Sequence, residues 1–232
     1  KEPYRLTFLK ENHRAEDDYS GLIALCKAFG LPTNTLYDGT LAVMDPDEWM
    51  RAFVLYSLCG ITDAYTRGNN HNLIVYQRPE DGKFLALPWD LDFSWVQPTN
   101  ASLWGDQNLG RITQLTPNRR LFYCHLLDVI QTTFNTTYMA RWTAHYGGLA
   151  GQDYSSILTF IGQRRTFVLG AIPAKVVFAI TTNSGNDFSV DSTAAVIEGN
   201  AGFDVKDIFI AGLPDPLELP WATPSKWQAT GE

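Results

Sequence analysis

The sequence predicts an α+β fold, and the grouping of its elements carries that reading. Apolar residues recur at helical spacing over 19–29, 46–59, 118–134, 137–145 and 153–169. A single pair of short β-prone runs, Leu73 to Gln77 and Lys83 to Leu87, stands between these helical stretches. From about Pro173 the chain changes to short strand-like runs separated by turn residues. Helices and strands are therefore segregated rather than alternating, the pattern of an α+β chain. The change of character divides the chain into a mainly helical domain, 1–172, and a small β-rich module, 173–232.

The first residues, Tyr4 to Leu9, read as a strand that becomes polar by His13-Arg14. Asp17-Asp18 opens an amphipathic helix from Tyr19 to Phe29, with Leu22, Leu25, Cys26 and Phe29 on its apolar face. Gly30 and Pro32 end it. Asp45-Pro46-Asp47-Glu48 is a stronger start signal: an acid cap, proline at the first helical position and acids in the first turn. The helix from Pro46 carries Trp49, Phe53, Tyr56 and Leu58 and stops at Gly60, delivering the chain to Asp63. An anion just past a helix C-terminus meets an unfavourable dipole, so a cation or a catalytic task would justify it, although aspartate is also common in loops.

Next comes the stretch Asn69-Asn70-His71-Asn72, a strand, the turn Pro79-Glu80-Asp81-Gly82, a second strand, and Trp89-Asp90-Leu91-Asp92-Phe93. Gly82 supplies the positive φ that such a turn uses. A hairpin would deliver Asp90 and Asp92 at the end of its second strand. If the backbone stays extended, residues i and i+2 share a face and the two carboxylates lie side by side. Paired anions call for a cation, and hard divalent ions prefer carboxylate and amide oxygens, which Asn69, Asn70 and Asn72 can also supply. The pattern points to a divalent-metal site. A solvated acid pair in a surface loop is the plainer alternative, disfavoured by the neighbouring Trp89, Phe93 and Trp95. Arg67 could meet a phosphate or pair with Asp63, and His71 could touch a ligand or serve as a structural hydrogen-bonding group.

The run from Asp63 through Asn72 and Tyr76 to Pro88-Trp89-Asp90-Leu91-Asp92 resembles the spore-coat protein H (CotH) kinase-like family over roughly residues 1–170. The resemblance implies a mainly helical protein-kinase-like C-terminal lobe whose β-hairpin carries the metal site. It also implies Mg²⁺- (or Mn²⁺-) and ATP-dependent phosphoryl transfer to Ser or Thr of a protein substrate. On it Asp63 is similar to the catalytic-loop Asp, Asn72 to the metal-binding Asn, and Asp90 to the metal-binding Asp, with Asp92 a second candidate metal ligand. Arg67, Asn69 and His71 become the candidate nucleotide or phosphate contacts. Two departures stand out. Asn72 follows Asp63 by nine positions, where ordinary kinases place the Asn about five after the Asp, so Asn69 and Asn70 remain rivals. The motif after the hairpin is Asp-Leu-Asp rather than Asp-Phe-Gly, which leaves open which acid holds the metal. No glycine-rich cover with a Lys–Glu pair is legible before residue 60, so the chain reads as a fragment lacking the N-terminal lobe.

Other readings are weighed beside this one. A non-catalytic, kinase-like binding module of a larger surface or coat protein would share the same sequence. Asp90-Leu91-Asp92-Phe93-Ser94 also resembles the strand-end motif of haloacid-dehalogenase-type phosphatases, and Asp-x-Asp occurs in nucleotide-sugar glycosyltransferases. The first expects an alternating α/β chain with a later acid pair, and the second gives no reason for the asparagine loop.

The segment 97–110 is polar and aperiodic, as a functional loop or a plain connector would be. A helix capped by Asn118 carries Leu121, Phe122 and a packed His125. A short helix runs from Thr137 to His145 and ends at Gly147-Gly148. Asp153 to Leu169 forms another, with Arg164-Arg165 exposed. Beyond Pro173, strand-like runs at 176–181, 187–198, 205–211 and 217–222 suggest a small, partial, immunoglobulin-like β-sandwich. Asp187, Asp191 and Asp204 could bind calcium there, with scattered turn acids the plainer account.

Composition bounds the partners. The 232 residues are 45% hydrophobic, enough for a substantial core. A net charge of −7 offers no basic footprint for nucleic acid. No apolar run reaches the ~18 residues of a transmembrane segment, and no signal peptide is visible. The family resemblance leans the localisation toward a bacterial cell surface, spore coat or secreted setting. Cys26, Cys59 and Cys124 sit in helical apolar patterns, with no zinc spacing or disulfide framework, and read as core residues.

Overall fold

A computed structural model describes residues 2–69, 71–217 and 219–231, with the backbone alone for Glu2, Gln107, Asn108 and Gly231. Among these residues the chain is α+β, with helices α1 (Glu2–Thr7), α2 (Ser20–Phe29), α3 (Thr33–Leu41), α4 (Pro46–Cys59), α5 (Gln107–Thr113), α6 (Thr116–Thr132), α7 (Thr136–Ala150) and α8 (Ser155–Ala171). Strands β1 (Leu73–Gln77) and β2 (Phe84–Pro88) form one antiparallel pair. Strands β3 (Ala179–Ile180), β4 (Ala195–Asn200), β5 (Trp221–Thr223) and β6 (Lys226–Gly231) form a second antiparallel sheet in the order β3-β4-β6-β5. Neither sheet has the parallel α/β arrangement that the phosphatase reading needs.

Helix α4 is the centre of the main core. Trp49, Met50, Val54, Tyr56 and Leu58 are each about 99% or more buried, and a helix apolar on most sides belongs inside a domain. It packs on α6, α8 and β2. Its ends follow the sequence signals: the Asp45 carboxylate accepts from the Glu48 N–H, Pro46 stands at the first position, and Gly60 closes the helix at φ 60°. A Cβ at Gly60 would lie 2.7 Å from the Phe160 ring, so both conformation and space require glycine there.

Elsewhere the structure corrects local expectations. The first segment is helix α1, not a strand. Helix α3 has no strong apolar stripe; only Leu36 and Thr40 are buried, and the periodicity was too weak to announce it. Asn118 is not a cap. It sits buried inside α6, its side chain donating to the Ile112 carbonyl at 3.0 Å and tying α6 to α5. Helix α7 continues through Gly147-Gly148 to Gly151, whose φ of 65° ends it. Gly147 is small because the Gln152 carbonyl approaches, 2.6 Å from where a Cβ would stand. Arg164, expected on the surface, has 0% exposure.

The tail is one four-stranded sheet, and no second sheet faces it among the described residues. Runs 187–194 and 205–211 are not strands, while β6 pairs along its whole length with β4. A small core of Ala201, Ile208, Trp227 and Ala229 backs the sheet. Arg120 of α6 anchors it. The guanidinium donates to the carbonyls of Gly202 at 2.9 Å and Val205 at 2.6 Å, and also to Pro224. It stacks 3.2 Å from the Trp221 ring centroid. The three cysteines are free thiols. Among the described residues no helix is long and apolar enough to cross a membrane.

Candidate functional site

The hairpin lies along α4 and is fastened at both ends. At the start of α4, the Phe84 carbonyl accepts from the Asp45 N–H at 3.1 Å and from the Trp49 indole at 2.8 Å, while the Phe84 N–H donates to Val43 at 2.8 Å. The turn is closed by the Arg78–Asp81 ion pair at 2.5 Å, and Arg78 also lies 3.1 Å from Asp45. The Arg78 guanidinium, followed by the Lys83 N–H, holds the Asp81 carboxyl down to about 2.

At the open end, one buried phenol joins the two strands. The Tyr56 hydroxyl donates to the Asn72 carbonyl and accepts from the Trp89 N–H at 3.3 Å. The Asn72 side-chain N–H₂ donates to the Asp63 carbonyl at 2.7 Å and lies 3.4 Å from the Asp63 carboxylate. Asn69 donates to the other carboxylate oxygen of Asp63 at 3.1 Å. Asp63 is thus held by two amide donors, which offsets the unfavourable helix end it follows. With its nitrogen turned to Asp63, Asn72 keeps Oδ1 as an acceptor with no donor among the described residues.

Asp90 and Asp92 do not take the extended geometry expected of them. Strand β2 ends at Pro88, Asp90 has φ 49°, and the chain turns through residues 92–95. The same-face argument therefore does not apply. Their proximity to the Asp63 loop comes from the backbone instead. The Thr62 N–H donates to the Phe93 carbonyl at 3.4 Å, Trp95 to the Cys59 carbonyl at 2.7 Å, and Gln97 to the Gly60 carbonyl at 3.0 Å. The turn after the hairpin is thus laid against the loop that carries Asp63. Both carboxylates are exposed and make no hydrogen bond or ion pair among the described residues. Asn72 and Asp90 share a left-handed backbone, at φ 59° and 49°. That conformation costs about 1 kcal/mol each and is held only where the surroundings impose it.

The remaining sequence candidates divide. Asn69 reaches Asp63. His71 is exposed. Asn70 lies outside the described residues. Arg67 makes no ion pair with Asp63 among the described residues: its guanidinium donates to the carbonyls of Ser102 at 3.0 Å and Trp104 at 3.5 Å.

Arg164 completes that arrangement from the other side. It donates to Ser57 at 2.9 Å, Thr99 at 3.1 Å and Ala101 at 2.6 Å, all backbone carbonyls. Burial, and then the nearby Arg67 charge, pull the Arg164 guanidinium down to about 10. Arg164 thus ties Thr99 and Ala101 to α4 through Ser57, and Arg67 ties Ser102 and Trp104 to the loop that follows α4. The sequence reading missed Tyr56 and Arg164 as site-forming residues. Tyr56 looked like one more apolar-face residue, and Arg164 had an arginine beside it, as an exposed helix face often does.

One comparison decides the family. The model of the CotH kinase protein family matches residues 2–158, about two thirds of the chain. The chain belongs to the CotH kinase family. No curated protein and no solved structure matches it. The CotH match contains Asp63, Asn72, Asp90 and Asp92 and ends inside α8, before the C-terminal sheet. Membership makes this a kinase-like domain.

The donor chemistry at the hairpin's open end suits a magnesium ion. Two exposed carboxylates with no partner among the described residues, together with the Asn72 amide oxygen, are hard oxygen donors. No three His, Cys, Asp or Glu side chains gather into a metal cage among the described residues. Mg²⁺ is commonly held by one or two carboxylates and completed by substrate phosphates, so such a cage is not required.

Proposed function

We propose that this CotH domain transfers the γ-phosphoryl group of Mg²⁺-ATP to a Ser or Thr hydroxyl of a protein. The observation that carries the reading is the Asn72–Asp63 hydrogen bond. The same amide that donates to the Asp63 main-chain carbonyl stands 3.4 Å from its carboxylate, at the hairpin's open end and beside two carboxylates with no partner among the described residues. Phosphoryl transfer asks for that division of labour: one acid for the attacking hydroxyl and oxygen ligands for the phosphate-bound metal.

In this reading Asp63 orients the hydroxyl and takes its proton. The hydroxyl oxygen bonds to the γ-phosphorus as the bond to the bridging oxygen breaks, and ADP leaves. The amides of Asn69 and Asn72 keep the Asp63 carboxylate aimed. Asn72 and Asp90, with Asp92 adjacent, would hold Mg²⁺, which when bound neutralises charge on the β- and γ-phosphate oxygens. Arg67 supports the site through the 102–104 backbone rather than through phosphate.

The test is transfer of labelled phosphate from ATP to protein in the presence of Mg²⁺ or Mn²⁺, using the longest natural form of the chain. Asp63→Asn and Asp90→Asn are expected to abolish transfer while leaving the thermal midpoint near its original value. Transfer unchanged in both variants, or none from the wild type, would reject the assignment.

A further inference from the structure

The hydrogen-bond parity of the hairpin shows something unusual at its open end. Strand pairs run Leu73↔Pro88 to Gln77↔Phe84. Just beyond them, the Arg78 N–H donates to the Lys83 carbonyl at 2.8 Å. In an antiparallel ladder hydrogen-bonded pairs alternate, so 78↔83, 76↔85 and 74↔87 share one parity. The next position of that parity is 72↔89. A continued ladder would have the Trp89 N–H donate straight to the Asn72 carbonyl. The Tyr56 hydroxyl stands between them instead, accepting from Trp89 and donating to Asn72.

We infer that Tyr56 is a positioning residue: its hydroxyl is a spacer inserted into the last rung of the hairpin, keeping the Asn72 and Trp89–Asp90 ends from closing on each other and so setting where the candidate metal ligands Asn72 and Asp90 stand. This deepens the phosphoryl-transfer reading and rests on it. Two features agree. Tyr56 is 1% exposed and is planted in the most buried helix, so its hydroxyl cannot drift. Asn72 on one side of the spacer, and Asp90 next after Trp89 on the other, both leave the extended region for positive φ. A strand pair opened by one inserted group must turn both chains outward there, and Asn and Asp are the non-glycine residues that tolerate such a turn.

Tyr56→Phe removes the spacer hydroxyl and keeps the ring in the core. Three properties of the full chain are then compared with wild type: Mn²⁺ binding in the presence of ADP, read from the free-ion paramagnetic resonance signal; the crystal structure of the open end; and the thermal midpoint. The expected result is closure of the rung, with the Trp89 N–H on the Asn72 carbonyl, and Mn²⁺ affinity weaker by 10-fold or more, with the midpoint little changed. A side chain that served packing alone would move the midpoint and not the affinity. Wild-type Mn²⁺ affinity in Tyr56→Phe, or strand ends that stay open without the hydroxyl, overturns the inference. If the wild type binds no Mn²⁺ with nucleotide, the phosphoryl-transfer reading falls; the spacer is then judged on the rung, which closes in Tyr56→Phe if the hydroxyl holds it open.

Discussion

The Asn72 side-chain amide donates to the main-chain carbonyl of Asp63 at 2.7 Å. One bond thus joins the loop before the hairpin to the residue that begins it, across nine positions of sequence. Asn72→Ala removes that donor. Unfolding free energy should fall by about 1 kcal/mol, the ordinary worth of one hydrogen bond. Phosphate transfer should fall by about 10–100-fold, as losses of orienting partners do. A denaturant titration beside a transfer assay separates the two effects.

Arg164 is the largest stability prediction. Its guanidinium satisfies carbonyls of Ser57, Thr99 and Ala101 in a fully buried place. Arg164→Met leaves those acceptors without donors, and the cost should be about 3 kcal/mol or more. Arg164→Lys should recover little of it, because one ammonium cannot reproduce the planar fork. The urea midpoint reports both. Segment 97–104 should also gain amide exchange in either variant.

The hairpin turn should weaken in acid. Asp81 has its carboxyl lowered from 3.8 to about 2 by Arg78. A lowered folded-state value means the unfolded chain binds the proton more readily, so stability is present above about pH 4 and is lost as pH falls toward 2. An NMR titration of the Asp81 carboxyl carbon should give a midpoint near 2. Arg78→Ala should return it toward 3.8.

The C-terminal sheet should depend on Arg120. Burial lowers its guanidinium to about 10, against the attraction of Asp204, yet it remains the donor for three tail carbonyls. Arg120→Gln should raise amide exchange across β4 and β6 and open the 173–178 link to proteases, while α4 stays protected. Equal protection in variant and wild type would mean that the small core of the sheet holds it without α6.

Several parts of this architecture could be read directly from the chain. Asp45-Pro46 and Gly60 bracket α4 because capping is local chemistry. The hairpin could be read because β-prone runs flank a turn with a glycine at positive φ. Helix α3 could not, since its burial comes from packing rather than from its own pattern. Gly147 looked like a stop because two glycines usually end a helix; the chain uses one for close approach instead.

By itself the sequence determined which residue types could do the chemistry: Asp63, the asparagines, and the acids among aromatics after a hairpin. It also determined the elements that carry them, because caps, turns and periodicity act within a few residues of one another. Only the tertiary structure decided how those residues are held. Tyr56 enters the hairpin from a helix behind it, the turn at Asp90 is positive in φ rather than extended, and Arg67 and Arg164 spend their charge on backbone carbonyls. Each of these links groups 16 or more positions apart in the chain, or reflects a constraint imposed from outside the segment. A hydrogen bond across such a gap depends on packing, and no local pattern encodes it.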